Sequence, residues 1–181
     1  MSTFVALLRG VNVGSAKRIP MAVLRKILTE LGFTGVSTLL NSGNVVFSAG
    51  KAAPAKHAAA IAAAISRELR VEVPVLVKSA ADLAFIVAEC PFKRLALNPS
   101  RLFVAFAADS QALARLAPIG ALAAPPEQFV VGRHAVYLHC PDGVLKSKAG
   151  EALLAKVGPA VTTRNWATVQ KLHAMAGGGD A

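Results

Sequence analysis

Acid is scarce in this sequence: its 181 residues hold ten Asp and Glu against twenty Lys and Arg. The carboxylates are scattered, and Glu30, Glu68, Glu72 and Glu89 fall on predicted helices or their ends, where a solvated surface charge is the expected role. General acid–base chemistry ordinarily uses a tuned His, Asp or Glu, so the residues name no reaction and no catalytic group. Cysteine is equally sparse. Cys90 and Cys140 lie fifty positions apart with no Cys-x-x-Cys pattern, which argues against a structural zinc and for two small buried thiols. No two histidines fall at i, i+4 on a recognisable helix. His134 and His139 are five apart on an expected strand and so point to opposite faces, and neither a metal nor a cofactor is expected. Ser42 lacks a nucleophile-elbow context. No apolar run approaches the roughly 20 residues that span a bilayer. The run Phe4 to Leu8 is too short for a signal-peptide core and has no basic residue before it, so a cytoplasmic protein without membrane contact is expected.

What remains is a globular, strongly basic chain. It is 54% hydrophobic, 17% charged and carries a formal charge of +10. Such a balance favours polyanionic partners, because attraction to phosphates is long-ranged and independent of sequence. The charge is spread evenly, at +4 over residues 1–50, +3 over 51–100 and +3 over 101–181. A generally basic surface is therefore the plain alternative to a dedicated binding face.

The element pattern predicts strand, helix, strand, strand, helix, strand. Phe4 to Arg9 reads as a doubly buried strand. Pro20 opens a helix whose stripe is Met21, Leu24, Leu28 and Leu31, stopped by Gly32. Strands follow at Gly35 to Leu40 and Val45 to Phe47, joined by the turn-forming Asn41-Ser42-Gly43-Asn44. A helix over Pro54 to Leu69, a strand over Pro74 to Lys78 and a short helix over Asp82 to Glu89 complete the first part. This order predicts a ferredoxin-like βαββαβ subdomain over residues 1–90. Right-handed crossovers then place the third strand between the first and second, and bring the loop from Gly10 to Ile19 beside the turn from Asn41 to Asn44. Residues 91–100 read as a linker and 101–176 as a second, similar α+β subdomain. In that subdomain strands are expected at Leu102 to Ala107, Gln128 to Val131 and Ala135 to Cys140. Helices are expected at Ser110 to Ala117 and Gly150 to Val157, followed by a short extended piece at Ala160 to Thr162. A closing helix is expected over Arg164 to Met175, and a flexible tail over 177–181.

Three stretches resemble a known family. Leu7-Leu8-Arg9-Gly10-Val11-Asn12-Val13-Gly14, the segment Asn41-Ser42-Gly43-Asn44-Val45-Val46-Phe47 after Gly32-Phe33, and Thr162-Thr163-Arg164-Asn165-Trp166-Ala167-Thr168-Val169 are similar to motifs of the bacterial domain of unknown function 1697. Asn41, Ser15 and Ala167 depart from that pattern, standing where glutamine, glycine and asparagine are usual. The resemblance implies an α+β fold with ferredoxin-like parts and implies no activity, since the family is uncharacterised.

Three candidate sites follow from the residues. In the first, Arg9, Lys17 and Arg18 surround a loop with Gly10, Asn12 and Gly14 at a helix start, an arrangement suited to an anion. It lacks the glycine spacing of a P-loop or a dinucleotide fingerprint, and the plain alternative is a connecting loop. In the second, Arg164 and Asn165 stand at the expected start of the closing helix, with the sole tryptophan, Trp166, as a stacking face for a base. The alternative is that Trp166, Val169 and Leu172 form a packing stripe. In the third, Ser42 and Asn44 stand beside the first loop. Together these residues suit holding an anion, so the expected function is binding of phosphate-bearing ligands, with nucleic acid (RNA) the leading partner. The alternatives are an enzyme acting on a phosphorylated small molecule or nucleotide, and a protein-interaction module without a ligand.

Overall fold

The computed structural model describes residues 1–14, 17–92, 98–155 and 157–177. The chain is a mixed α+β protein with two four-stranded antiparallel sheets, and it divides into two compact units. Among the described residues the first comprises Met1–Leu83 with 172–177, and the second comprises Ala84–Lys171. The 91–100 stretch expected as a linker lies beyond that division, and its residues 93–97 are outside the described residues. So are residues 178–181 of the expected tail.

In the first unit, β1 (Ser2–Leu8) is followed by α1 (Met21–Glu30), β2 (Thr34–Leu39), β3 (Asn44–Ala49), α2 (Pro54–Leu69) and β4 (Val75–Ser79). The sheet order is β2-β3-β1-β4, so the third strand does lie between the first and second. Phe4 to Leu8 are all buried, as an unbroken apolar run requires when both sheet faces are covered. Leu24, Ile27 and Leu28 of α1 pack with Ile61, Ala64 and Ile65 of α2 against Phe4, Ala6, Leu8, Val45 and Phe47. These spacings of three and four bring one stripe of each helix onto the sheet. Gly32 follows the C-cap Leu31 with φ +82. An imidazole also sits inside this apolar layer. The His57 ring of α2 lies 4.6 Å from Phe4, 5.4 Å from Phe33 and 5.9 Å from Phe47 between ring centres. Its Nε2 is the one buried side-chain polar atom without a hydrogen bond among the described residues.

In the second unit, β5 (Leu102–Ala107), α4 (Ser110–Ala114), β6 (Gln128–Val131), β7 (Ala135–His139), α5 (Lys148–Ala155) and β8 (Val161–Asn165) build a sheet ordered β6-β7-β5-β8. Each sheet thus has its strands in the same spatial sequence. Ala105, Ala107, Val136 and Leu138 form its core with Leu113 of α4 and Leu153 of α5. Cys90 and Cys140 are both buried, and neither forms a disulfide. The helix expected to reach Ala117 ends at Ala114 and is followed by a 3-10 segment from Ala117 to Leu122. Pro118 disfavours an α conformation at the residue before it. Two further helices are α3 (Ala80–Glu89) and α6 (Trp166–Met175). No helix among the described residues is long and apolar enough to cross a membrane.

Candidate functional site

The loop after β1 is shaped by left-handed backbone. Gly10, Asn12, Gly14 and Lys17 have φ of +67, +55, +62 and +50. Ser15 and Ala16 lie outside the described residues. The Asn12 N–H donates to the Lys17 carbonyl at 3.1 Å, closing the loop on itself. The Asn12 side chain then ties the loop to its own end at Ile19 and to the neighbouring turn. Its Nδ2 donates to the Ile19 carbonyl at 2.9 Å and to the Asn41 carbonyl at 2.6 Å, and its Oδ1 accepts from the Ile19 N–H at 2.8 Å. The loop and the 40–43 turn are therefore neighbours, as the strand order requires. The Leu8 N–H also donates to the Gly43 carbonyl at 2.8 Å. Asn12, expected to contact a ligand, holds the loop in place through these bonds.

A cleft of roughly 350 Å³ opens here, lined by Asn12, Arg18, Ile19, Pro20, Met21 and Asn41. No carboxylate is among these residues. The cleft abuts the start of α1, whose N-cap position is Pro20, one residue earlier in role than the spacing suggests, with no side-chain cap and no acidic residue in the first turn. The first N–H groups of that helix therefore carry the positive end of its dipole uncompensated by a side chain. Arg18 and Lys17 are exposed. The one described hydrogen bond of the Arg18 guanidinium is a long 3.5 Å contact to the Gly14 carbonyl. Arg9 is half-buried and its N–H donates to the Pro74 carbonyl. Asn44 is fully buried in β3, where its Nδ2 donates to the Leu39 carbonyl at 3.0 Å and to Ser42 Oγ at 2.9 Å. Those bonds give Asn44 to the hairpin, and of the turn residues it is Asn41 that reaches the cleft.

The second expected site changes character in the structure. Arg164 and Asn165 do not begin the closing helix; they end strand β8. The Arg164 guanidinium donates to Thr162 Oγ1 and to the Thr163 carbonyl, both at 2.9 Å, and burial lowers its pKa to about 10. Asn165 caps α6, its Oδ1 accepting from the Thr168 N–H at 2.9 Å. Trp166 is 5% exposed. Its ring packs inside and does not stand open to stack on a base. All three belong to the second unit, whereas the cleft residues belong to the first.

A cluster the sequence did not suggest lies at the end of α3. Glu89 was expected as a solvated charge. Its carboxylate instead accepts the N–H of His134 at 2.9 Å, the N–H of Arg133 at 3.1 Å and the Tyr137 hydroxyl at 3.0 Å, and it lies 3.2 Å from His134 Nδ1. The Tyr137 hydroxyl shares its single proton between that carboxylate and the Ile86 carbonyl at 2.6 Å. A Cβ at Gly132 would stand 2.6 Å from Glu89 Oε1, so glycine is what admits the carboxylate. His134 lies in the turn just before β7, beside the strand expected from Ala135 and not on it. Only folding brings these partners together across more than forty residues.

Burial by itself raises the Glu89 pKa, but the bonds from His134, Tyr137 and Arg133 outweigh it and hold the carboxyl below its ordinary value of 4.5. A depressed carboxyl pKa contributes stability that is present above the unfolded value and lost as pH falls through the folded one. We expect Glu89→Gln to lower stability at neutral pH by about 1 kcal/mol, allowing for its partial exposure. Urea unfolding at neutral pH and at about pH 3 should show a larger acid loss in the unchanged protein than in the variant. Equal acid losses would mean that the carboxylate is not an anchor.

Among the described residues no three His, Cys, Asp or Glu side chains are placed to hold a metal ion. Comparison with curated protein sequences gives no match. The fold is similar to that of a solved conserved bacterial protein of Streptococcus pneumoniae, with a TM-score of 0.80, 22% identity and coverage of 97% of this chain and 98% of that one. Residues 1–137, which hold both the Arg9 to Gly14 loop and the Asn41 to Phe47 segment, match the family described as a protein of unknown function, DUF1697, and the chain belongs to that family.

Proposed function

We propose that this chain is a cytoplasmic protein that binds phosphate-bearing ligands, RNA foremost, with a phosphate seated in the cleft between the 9–18 loop and the 40–43 turn. We further assign each unit to the ferredoxin-like βαββαβ class, a reading supported by the strand order common to both sheets. One observation carries the functional proposal: an uncapped helix start, the exposed Arg18 and a concave surface without a carboxylate coincide at one place. A helix N-terminus welcomes an anion, and a guanidinium supplies paired charge-assisted bonds to phosphate oxygens. Backbone strain concentrates there too. Asn12, Lys17 and Leu40 are three of the four non-glycine residues with left-handed φ among those described, and such conformations cluster where a site is held in shape. The lining residues include no acid or base, which favours binding over catalysis.

The cleft volume also suits a phosphorylated small molecule. The test therefore has two arms. Anisotropy of a labelled single-stranded RNA is measured across a salt series with the unchanged protein and Arg18→Ala. We expect the variant to bind more weakly and its log–log salt slope to flatten by about 0.7, the value for one lost single-strand phosphate contact. Binding confined to low salt and unchanged by Arg18→Ala would overturn the RNA reading. Calorimetry with phosphorylated metabolites then decides whether the cleft takes a small ligand instead.

A further inference from the structure

The second unit carries an exposed aromatic surface that the Glu89 anchor does not by itself explain. Phe85 and Glu89 are one helical turn apart on α3, and i, i+4 neighbours share a face. Both meet His134. The carboxylate holds the imidazole through Nδ1 and through the adjoining backbone N–H groups. The phenyl lies along the same ring, with centres 5.4 Å apart and planes within 15°. Phe85 nevertheless remains 56% exposed with His134 against it, so aromatic surface is still open to solvent. Arg133, the residue before His134 in the turn, is exposed as well. A large exposed ring held parallel to a second ring, with an exposed cationic residue adjoining the second in sequence, is the composition of a surface on which bases stack.

We propose that Phe85 and His134 form a stacking platform for one nucleobase of a single-stranded RNA, with Arg133 placed for the adjoining phosphate. The proposal rests on the nucleic-acid reading above and supplies the base contact that buried Trp166 does not. RNA is preferred to a second copy of this chain because a net charge of +10 on each copy opposes self-association and attracts a polyanion. The Glu89 carboxylate does not spoil this complementarity. Its charge is spread over four donors, two of them backbone N–H groups. Glu89 thereby acts as a positioning residue, since it sets the plane of the imidazole and touches no base itself.

The test uses the full chain and an RNA carrying one 2-aminopurine, whose fluorescence reports stacking while anisotropy reports binding. Phe85→Leu keeps an apolar side chain at a half-exposed position and removes the ring. We expect it to weaken binding at least about fivefold, the lower end of the range for losing one aromatic–base stack, and to abolish the 2-aminopurine change. His134→Ala gives a second variant with the same expected direction. Arg18→Ala should weaken binding yet preserve the 2-aminopurine change at saturating protein, so the platform and the phosphate cleft fail separately. RNA binding unaltered by both Phe85→Leu and His134→Ala would overturn the platform. So would Phe85-dependent dimers in sedimentation, or the absence of any RNA binding. In the last case pyrophosphate titration still judges the cleft by itself.

Discussion

Replacing Trp166 by alanine should lower the unfolding free energy by about 3–5 kcal/mol, the range for deleting a large buried ring. The side chain is 5% exposed, at the first position of α6. Removing it forfeits the transfer free energy of the ring and leaves a cavity that a rigid surround cannot fully close. Trp166→Phe should recover part of the loss. Because this is the only tryptophan, intrinsic fluorescence reports on it without interference. We expect short-wavelength emission, protection from acrylamide and no change on adding RNA. A loss below about 1 kcal/mol in Trp166→Ala, outside the range for buried rings, would place the ring outside the core.

Gly43→Ala should be nearly as damaging, for a different reason. Gly43 has φ +76, and a Cβ there would lie 2.6 Å from Leu8 Cβ and 2.7 Å from Val11 Cγ2. The first contact is with an atom fixed to the backbone of β1, so it yields only if the strand moves. The left-handed conformation costs an L-residue about 1–2 kcal/mol, and overpacking adds about 1–3 kcal/mol. Gly35→Ala separates the two contributions. Its φ is +59, but the nearest atom, Ser48 Oγ, is 3.8 Å away. It should show the conformational cost alone, about 1–2 kcal/mol. Urea midpoints for both variants test the difference, and equal losses would mean that the 40–43 turn relaxes around the added carbon.

Much of the fold was legible where one signal dominated. The helix Pro54–Leu69 was readable to the residue because proline opens it and Ile61 and Ile65 recur at four-residue spacing. The strand Leu102–Ala107 was equally clear as an unbroken apolar run. The junction of β8 and α6 was not. Thr, Arg and Asn suit the end of a strand and the start of a helix alike, and pairing with β5 decides for the strand through Arg164 opposite Val104 and Asn165 opposite Phe103. Asn165 then caps the helix from the last position of that strand.

The site shows the same boundary between local and distant information. The approach of the loop to the turn follows from strand order and could be foreseen. That Asn12 would spend its amide on that contact depends on a carbonyl 29 residues away. Glu89 looked like other helix-end acids, because nothing near it in sequence marks a partner 45 residues on. In both cases the residue type was visible and its partner was not.

The Asn12 amide has one more consequence. Three hydrogen bonds from a single side chain join Asn12 to Ile19 and to Asn41 of the turn, so the spacing of these three residues is established when the sheet forms. On the proposed reading, a phosphate would meet these three residues already in place, and the entropy of positioning them would belong to folding instead of to association. Affinity there would then depend on the charges presented, Arg18 foremost, and little on rearranging Asn12, Ile19 or Asn41.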